Sequence, residues 1–243
     1  MKTTGDAATR ELAAEAEEVA ARGSVEELLA WAERRIGPDG VIATTFSIQD
    51  VILVHLASLH APGLKVVTLD TGRLPPETFE AMEEVRQRYG IEIETWFPDR
   101  AAVERLEREK GFFSFRQSVK DRIECCAIRK DEPLGRALSG RKAWFTGSRR
   151  ADSAVRVEVV ELDEEHGGIV KINPLARWTD EDVWGFARSH AIPIHTLHVR
   201  GYPSIDCAPC IRPVAPGEDP RMGRFWWEAP APKDRTPSAG RRR

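Results

Sequence analysis

Short apolar runs alternate with longer helical stretches along most of the chain, and this alternation limits the folds that it can adopt. VIATTF (41–46) and IEIETWFP (91–98) predict strands, and LKVVTLDTG (64–72) predicts a strand that ends in a loop; all three are rich in β-branched residues. Each is followed by a segment with apolar residues at helical spacing. A fourth strand is predicted in KAWFTGSRR, and a strand pair around HGG. The pattern predicts an α/β fold with a mostly parallel, twisted sheet and helices on both faces.

The two ends of the chain differ from this central part. Residues 1–36 have helical periodicity, and Ser24 followed by Glu27 predicts a capping box at the start of a helix. After about residue 212 the sequence becomes rich in proline, glycine and charge, which is typical of irregular structure. We therefore predict three parts: an N-terminal helical segment (1–36), an α/β ligand-binding domain (37–212) and a C-terminal lid and tail (213–243).

Charge and hydropathy exclude several classes of function. The 243 residues include 36 basic and 39 acidic side chains, a net charge of −3, which argues against general nucleic-acid binding. No apolar run approaches the length of a membrane span, so no membrane partner is expected. The first twenty residues lack the basic and then apolar layout of a signal peptide. We expect a cytoplasmic protein whose thiols stay reduced.

Two loops after predicted strands are candidates for binding an anion. The segment 44–50 offers the hydroxyls of Thr44, Thr45 and Ser47 at a helix start, where backbone N–H groups can hold a phosphate or sulfate. The second loop contains Asp70. Both would lie at the carboxyl edge of a parallel sheet, where ligands bind. An ordinary helix cap and a plain turn remain alternatives for these loops.

Four cysteines occur as an adjacent pair, Cys125 and Cys126, and as the CAPC sequence of Cys207 and Cys210. Disulfides are unfavourable in a reducing compartment, and zinc sites usually use two CxxC pairs. A [4Fe–4S] cluster takes one cysteine per iron, so adjacent residues with diverging side chains can bind two different irons. The pattern favours a cluster over zinc, with a buried structural pair as a further alternative.

Several long motifs carry a family resemblance. They are LDTGRLPPETF, IECCAIRKDEPLGRAL, AWFTGSRRADS, KINPLARWTDEDVW and the segment from IPIHTLH to RFWWE. Between about residues 38 and 228 the chain resembles the sulfonucleotide reductases, and more narrowly the iron–sulfur assimilatory adenosine 5′-phosphosulfate (APS) reductases. The resemblance implies an adenine nucleotide α-hydrolase-like fold and reduction of APS to sulfite and AMP in sulfate assimilation and cysteine biosynthesis. The 3′-phosphorylated substrate, PAPS, is the alternative.

The resemblance also assigns roles to individual residues. The four cysteines would hold a [4Fe–4S] cluster, and Lys130 would be the catalytic residue between the cluster and the substrate sulfate. His195 and His198 are expected to be structural or to line the substrate. Homo-oligomerisation is expected from the resemblance alone. The substrate-binding residues implied are Thr44, Thr45, Ser47, Asp70, Arg149, Arg156, Arg221 and Arg224.

One departure from the family pattern concerns the nucleophile. Family members carry a further cysteine in a KECGLH-like motif shortly after WWE, whereas APAPKDRTPSAGRRR stands here and no cysteine follows Cys210. The attacking thiol is then expected from a thioredoxin-like protein or a small molecule. Alternatively, the chain binds sulfonucleotides without unaided reduction, or serves another sulfur reaction. Asp206 also departs from the family, which has glycine before the CxxC, and this bears on the cluster environment.

Overall fold

A computed structural model describes residues 7–152 and 157–228. Six strands form one sheet in the order β3-β2-β1-β4-β6-β5, and all neighbouring strands are parallel except β5 and β6. The predicted fold class is therefore confirmed, including the strand pair around HGG. The strands are β1 (Gly40–Ala43), β2 (Lys65–Leu69), β3 (Ile93–Trp96), β4 (Ala143–Phe145), β5 (Val160–Asp163) and β6 (Ile169–Ile172).

Helices connect the strands and continue beyond the sheet. A π-helical segment, Ala127–Asp131, joins α6 directly to α7. None of the described helices is long and apolar enough to cross a membrane. The helices are α1 (Ala7–Arg22), α2 (Val25–Arg35), α3 (Ile48–His60), α4 (Pro76–Tyr89), α5 (Arg100–Lys110), α6 (Val119–Cys126), α7 (Glu132–Leu138), α8 (Asp180–Ser189) and α9 (Thr196–Val199).

Side chains alternate along each strand, so both faces of the sheet carry apolar side chains. Helices cover both faces. Ile42 and Phe145 pack into the larger core, which includes buried residues of α1, α2, α3 and α8. Val41 and Trp144 point to the other face and pack with Leu138 of α7. Burial on both faces explains why the central strands are continuous apolar runs in the sequence.

β1 ends earlier than the sequence predicts, and β2 ends in the predicted loop; the residues beyond both strands form loops of the candidate site. β1 ends before Phe46, which has a positive φ of 62°, and β2 ends before Gly72, with a φ of 73°. Both conformations turn the chain away from the sheet. The capping box of Ser24 and Glu27 is confirmed at the start of α2.

Candidate functional site

A buried carboxylate joins the loops after β1 and β4. Asp50 accepts hydrogen bonds from the N–H and hydroxyl of Thr45, both at 2.8 Å, and from the Gly147 N–H at 3.2 Å. Burial raises the pKa of Asp50, while hydrogen bonds from Thr45, Ser47 and Gly147 act in the opposite direction. The Thr44 hydroxyl accepts from the Phe46 N–H at 2.9 Å. The predicted hydroxyl residues thus shape this loop.

His198 lies at the N-terminus of α3, beside the same loop. Its Nε2 accepts a hydrogen bond from the Ile48 N–H at 3.2 Å, and its Nδ1 is 2.9 Å from the Tyr202 carbonyl oxygen, to which it donates. Burial lowers the pKa of His198. The side chain of Ser47, the N-cap residue, makes no capping hydrogen bond. His198 therefore contacts the candidate anion loop, and its expected role as a structural or substrate-lining residue stays a prediction.

The loop after β2 contacts the CAPC sequence. The Thr71 hydroxyl lies 3.1 Å from the Cys207 sulfur, and the Arg73 carbonyl oxygen accepts from the Ala208 N–H at 2.8 Å. Asp70 accepts from the Gly72 N–H at 2.8 Å and so forms the turn itself. Asp70, which is predicted to bind substrate, thus stabilises the loop in which Thr71 contacts Cys207.

All four cysteines are free thiols, and we call them together the cysteine site. Cys125, Cys207 and Cys210 are buried in one cluster of side chains, and Cys126 is half-buried. A hydrogen bond with Cys210 lowers the pKa of Cys207 to about 7 and raises that of Cys210. Burial raises the pKa of Cys125 and of Cys126. The structure thus brings Cys125 together with the two cysteines of CAPC in one buried cluster, and the grouping of all four as ligands stays a prediction.

Arg129 is a site residue that the sequence did not single out. It lies in the π-helical segment that follows Cys126, and it is only 4% exposed. Its guanidinium donates to the Thr71 carbonyl and to Glu107, both at 2.6 Å, and its charge acts to lower the pKa of the Cys125 thiol. Its Nε has no hydrogen-bond partner among the described residues. A buried cation with a spare donor therefore stands beside the cysteine site.

Lys130 and Arg224 meet on one carboxylate beside the cysteine site. The Lys130 amine donates to Asp206 Oδ1, and Arg224 Nη2 lies 2.6 Å from Asp206 Oδ2. Burial alone would raise the pKa of Asp206, but the charges of Lys130 and Arg224 outweigh it and hold the pKa below its usual value. The charges of Lys130 and Arg224 also act to lower the pKa of the Cys126 thiol. Two of the predicted basic residues are thus brought to the cysteine site.

The other predicted arginines have different surroundings. Arg149 is buried and donates to Asp152 at 2.6 Å and to Asp180 at 2.7 Å. Arg221 is exposed and is paired with Asp219 at 3.0 Å. Arg156 lies outside the described residues. Of Arg149, Arg221 and Arg224, which the structure describes, Arg224 contacts Asp206 beside the cysteine site.

The donor chemistry of the cysteine site bears on what it could hold. Within residues 7–152 and 157–228, no three or more His, Cys, Asp or Glu side chains form a group that could hold a metal ion. The site instead offers four sulfur donors next to a buried arginine with an unpartnered N–H. Cysteine sulfur is the ligand of soft metals and of iron–sulfur clusters, whose sulfurs accept hydrogen bonds.

Comparison with known proteins shows which family the chain resembles. The phosphoadenosine phosphosulfate reductase domain matches residues 40–213. An adenosine 5′-phosphosulfate reductase from Burkholderia cepacia is 45% identical over 188 residues, covering 77% of this chain and 75% of that protein. The chloroplastic 5′-adenylylsulfate reductase 3 of Arabidopsis thaliana is 45% identical over 213 residues, covering 83% of this chain and 46% of that protein.

Solved structures agree with the sequence comparison. A phosphoadenylyl-sulfate reductase from Candida auris has a TM-score of 0.67 at 25% identity, covering 79% of this chain and 94% of that chain. Yeast FAD synthetase has a TM-score of 0.54 at 14% identity, covering 86% of this chain and 70% of that chain, and supports the fold alone. The adenine nucleotide α-hydrolase-like fold predicted from the motifs is thereby confirmed. The chain belongs to the phosphoadenosine phosphosulfate reductase domain family.

Proposed function

We propose that this chain reduces adenosine 5′-phosphosulfate to sulfite and AMP in assimilatory sulfate reduction, with electrons from thiols. The observation that carries the proposal is the position of Lys130 beside the cysteine site. Bacterial relatives at 44–45% identity, from Burkholderia cepacia and Allochromatium vinosum, are named adenosine 5′-phosphosulfate reductases, which favours APS over PAPS.

The proposal assigns a [4Fe–4S] cluster to Cys125, Cys126, Cys207 and Cys210. Metal binding requires cysteines as thiolates, and the charges of Arg73, Arg129 and Lys130 favour that form. The unpartnered Nε of Arg129 is a donor suited to a cluster sulfur. When bound, the cluster would join the C-terminal end of α6 to the CAPC loop.

The proposal assigns the adenylate and sulfate groups to the loops at the carboxyl edge of the sheet. Helix α3 begins there after three hydroxyl residues, and backbone N–H groups at such a point bind anionic oxygens. Arginine guanidinium groups also suit phosphate and sulfate oxygens, because they are positively charged and can donate two parallel hydrogen bonds. The proposed binding residues are Thr44, Thr45, Ser47, Asp70, Arg149, Arg156, Arg221 and Arg224.

The chemistry needs two thiols for each APS. A thiolate attacks the sulfate sulfur, the bond from that sulfur to the bridging oxygen breaks, and AMP leaves. A second thiolate attacks the sulfonated sulfur, sulfite leaves with the electron pair, and a disulfide forms. Lys130 would stabilise the negative charge that develops on the oxygens during the first attack.

None of the four cysteines in the printed sequence is left over as the nucleophile once all four are assigned to the cluster. The proposal therefore takes the attacking thiol from outside the printed sequence. A thioredoxin-like protein or a small thiol such as glutathione would supply it.

The test uses protein prepared without oxygen. Iron content and visible absorbance are measured first, and then ³⁵S-labelled APS or PAPS is added with thioredoxin, with glutathione or with neither. We expect sulfite from APS only when a thiol is present. Bound APS without sulfite under every condition would support the alternative of a sulfonucleotide-binding protein. Absence of both binding and sulfite would reject the proposal.

A further inference from the structure

Asp206 precedes the first cysteine of CAPC, and both oxygens of its carboxylate bind a cation. Oδ1 accepts from the Lys130 amine and also from the Cys207 N–H at 2.7 Å, and Oδ2 lies 2.6 Å from Arg224 Nη2. The Asp206 side chain is 9% exposed, whereas Lys130 is 20% and Arg224 is 47% exposed. The two cations can therefore be reached from solvent, while the anion that neutralises them is buried.

Carboxylate and sulfate oxygens use the same donors, because both are anionic acceptors for ammonium and guanidinium groups. Asp206 neutralises one of the two positive charges of Lys130 and Arg224 before any ligand approaches them. The backbone hydrogen bond from Cys207 fixes the carboxylate in this position. Any oxyanion at this pair must overcome the repulsion of Asp206 or replace it as the partner of the cations.

We propose that Asp206 is an internal counter-anion that weakens the binding of oxyanions at Lys130 and Arg224 and so determines specificity. This rests on the proposed function only in taking these two cations as the oxyanion site. Inorganic sulfate binds only through its charge and its oxygens, so the repulsion from Asp206 lowers its affinity without compensation. A sulfonucleotide has further contacts through its adenylate, which compensate for the same penalty.

The experiment measures the affinity of the holoprotein for inorganic sulfate by isothermal titration calorimetry at constant ionic strength. Asp206→Asn keeps an oxygen for the Cys207 N–H and removes the charge, and Asp206→Ser removes the charge with a different shape. We expect sulfate to bind about tenfold more tightly or better to either variant, since a like charge within a few ångströms is lost. The gain should disappear when Lys130→Met is added to Asp206→Asn.

Asp163→Asn is the matched control. Asp163 is 10% exposed, is paired with His166 and accepts two backbone N–H groups, but it lies where β5 meets the start of β6, at the opposite edge of the sheet. Its sulfate affinity should equal that of the wild type. Wild-type or weaker sulfate binding by both Asp206 variants, or by the one that folds, would overturn the inference.

Sulfite formation from APS by the wild type is measured separately. Failure of that reaction with tighter sulfate binding by the Asp206 variants would reject the proposed function and keep the inference. Normal sulfite formation by the wild type, with unchanged sulfate binding by the Asp206 variants, would keep the proposed function and reject the inference.

Discussion

Gly147 shows how closely two loops of the candidate site approach each other. A Cβ at this position would lie 2.5 Å from Asp50 Oδ1 and 2.9 Å from the Asp50 backbone nitrogen. Neither atom can move freely, because the carboxylate is held by Thr45 and the nitrogen belongs to the first turn of α3. Glycine is therefore required here by space.

We predict that Gly147→Ala lowers the free energy of unfolding by about 1–3 kcal/mol, the usual cost of overpacking. Urea denaturation monitored by circular dichroism measures it. Gly185→Ala is the matched control, because a Cβ there meets no atom within 4 Å. It lies inside α8, so it should stabilise the protein by about 0.5–1 kcal/mol. Equal effects of the two substitutions would contradict the steric explanation.

Lys130 is the residue on which the proposed reaction depends most. Burial disfavours its charged form, but the attraction of Asp206 outweighs this and raises the pKa of Lys130, so the amine stays charged. We predict that Lys130→Met lowers the rate of sulfite formation by about 100-fold or more, the usual loss when one electrostatic donor is removed. Lys130→Arg should retain part of the rate.

The control for this prediction is Lys142→Met, which breaks an exposed ion pair with Asp39. Its rate of sulfite formation should be that of the wild type. A Lys130→Met protein with a normal rate and intact iron content would remove Lys130 from the mechanism.

Some residues of the candidate site could be predicted from the sequence, and others could not. The grouping of the four cysteines with Lys130 could be predicted because they lie in distinctive motifs. Arg129 and Asp50 could not, because their roles come from tertiary contacts with Thr71, Glu107 and Gly147. The position of Arg129 four residues after Cys125 was the only available signal.

At the scale of elements, the short helix α9 is held by a buried histidine at its N-terminus. His195 Nδ1 accepts from the Leu197 N–H at 3.2 Å, so Nε2 carries the proton and donates to the Thr78 hydroxyl at 3.1 Å. Burial lowers the pKa of His195 to about 4. A second proton on Nδ1 would face the Leu197 N–H and break the cap.

The direction of the pH dependence follows from that shift. The folded pKa of about 4 lies below the ordinary value of 6.5, so the neutral form stabilises the fold. This stabilisation is complete above pH 6.5 and is lost as the pH falls from 6.5 towards 4. We predict that His195→Asn, which keeps a capping oxygen, lowers stability at pH 7 but loses less stability over that pH range than the wild type.

Urea denaturation at several pH values between 4 and 7 measures this difference. His60→Gln, which removes a partly exposed histidine near the end of α3, serves as the control and should follow the wild-type curve. Parallel curves for the wild type and His195→Asn would show that His195 does not cause the acid sensitivity.

Element boundaries show where the sequence was insufficient. Apolar periodicity predicts the strands and helices, but the predicted strand at 41–46 is too long by the residues that form a site loop. Apolar periodicity does not distinguish the π-helical segment, Ala127–Asp131, from an ordinary helix. A π-helix has i→i+5 hydrogen bonds, and such turns are frequent at functional sites.

For the whole molecule, the cysteine site connects parts of the chain that are far apart in sequence. Thr71 contacts Cys207, and Ile211 pairs with Arg224 in an isolated antiparallel bridge. Phe225 donates its N–H to the Cys210 carbonyl at 3.1 Å. The division of the chain at residue 212 stays a prediction, and these contacts tie the two sides of that boundary to the same four thiols.

If the four thiols bind a cluster, its removal should loosen this whole region. Without it, the buried thiol of Cys125 and the half-buried thiol of Cys126 keep raised pKa values and have no ligand bonds to the CAPC loop. We predict that anaerobic removal of iron by a chelator lowers the melting temperature by about 5 °C or more, the shift expected for a loss of one to two kcal/mol in a protein of this size. Cys210→Ser should give iron-poor protein with the same shift.

Amide hydrogen exchange locates the effect. Exchange should become faster in residues 203–228 and in the π-helical segment, whereas β1 and β2, buried in the two cores, should keep their protection and serve as an internal control. Iron-free protein with unchanged melting and unchanged exchange in both segments would show that the thiols need no cluster to hold this part of the fold.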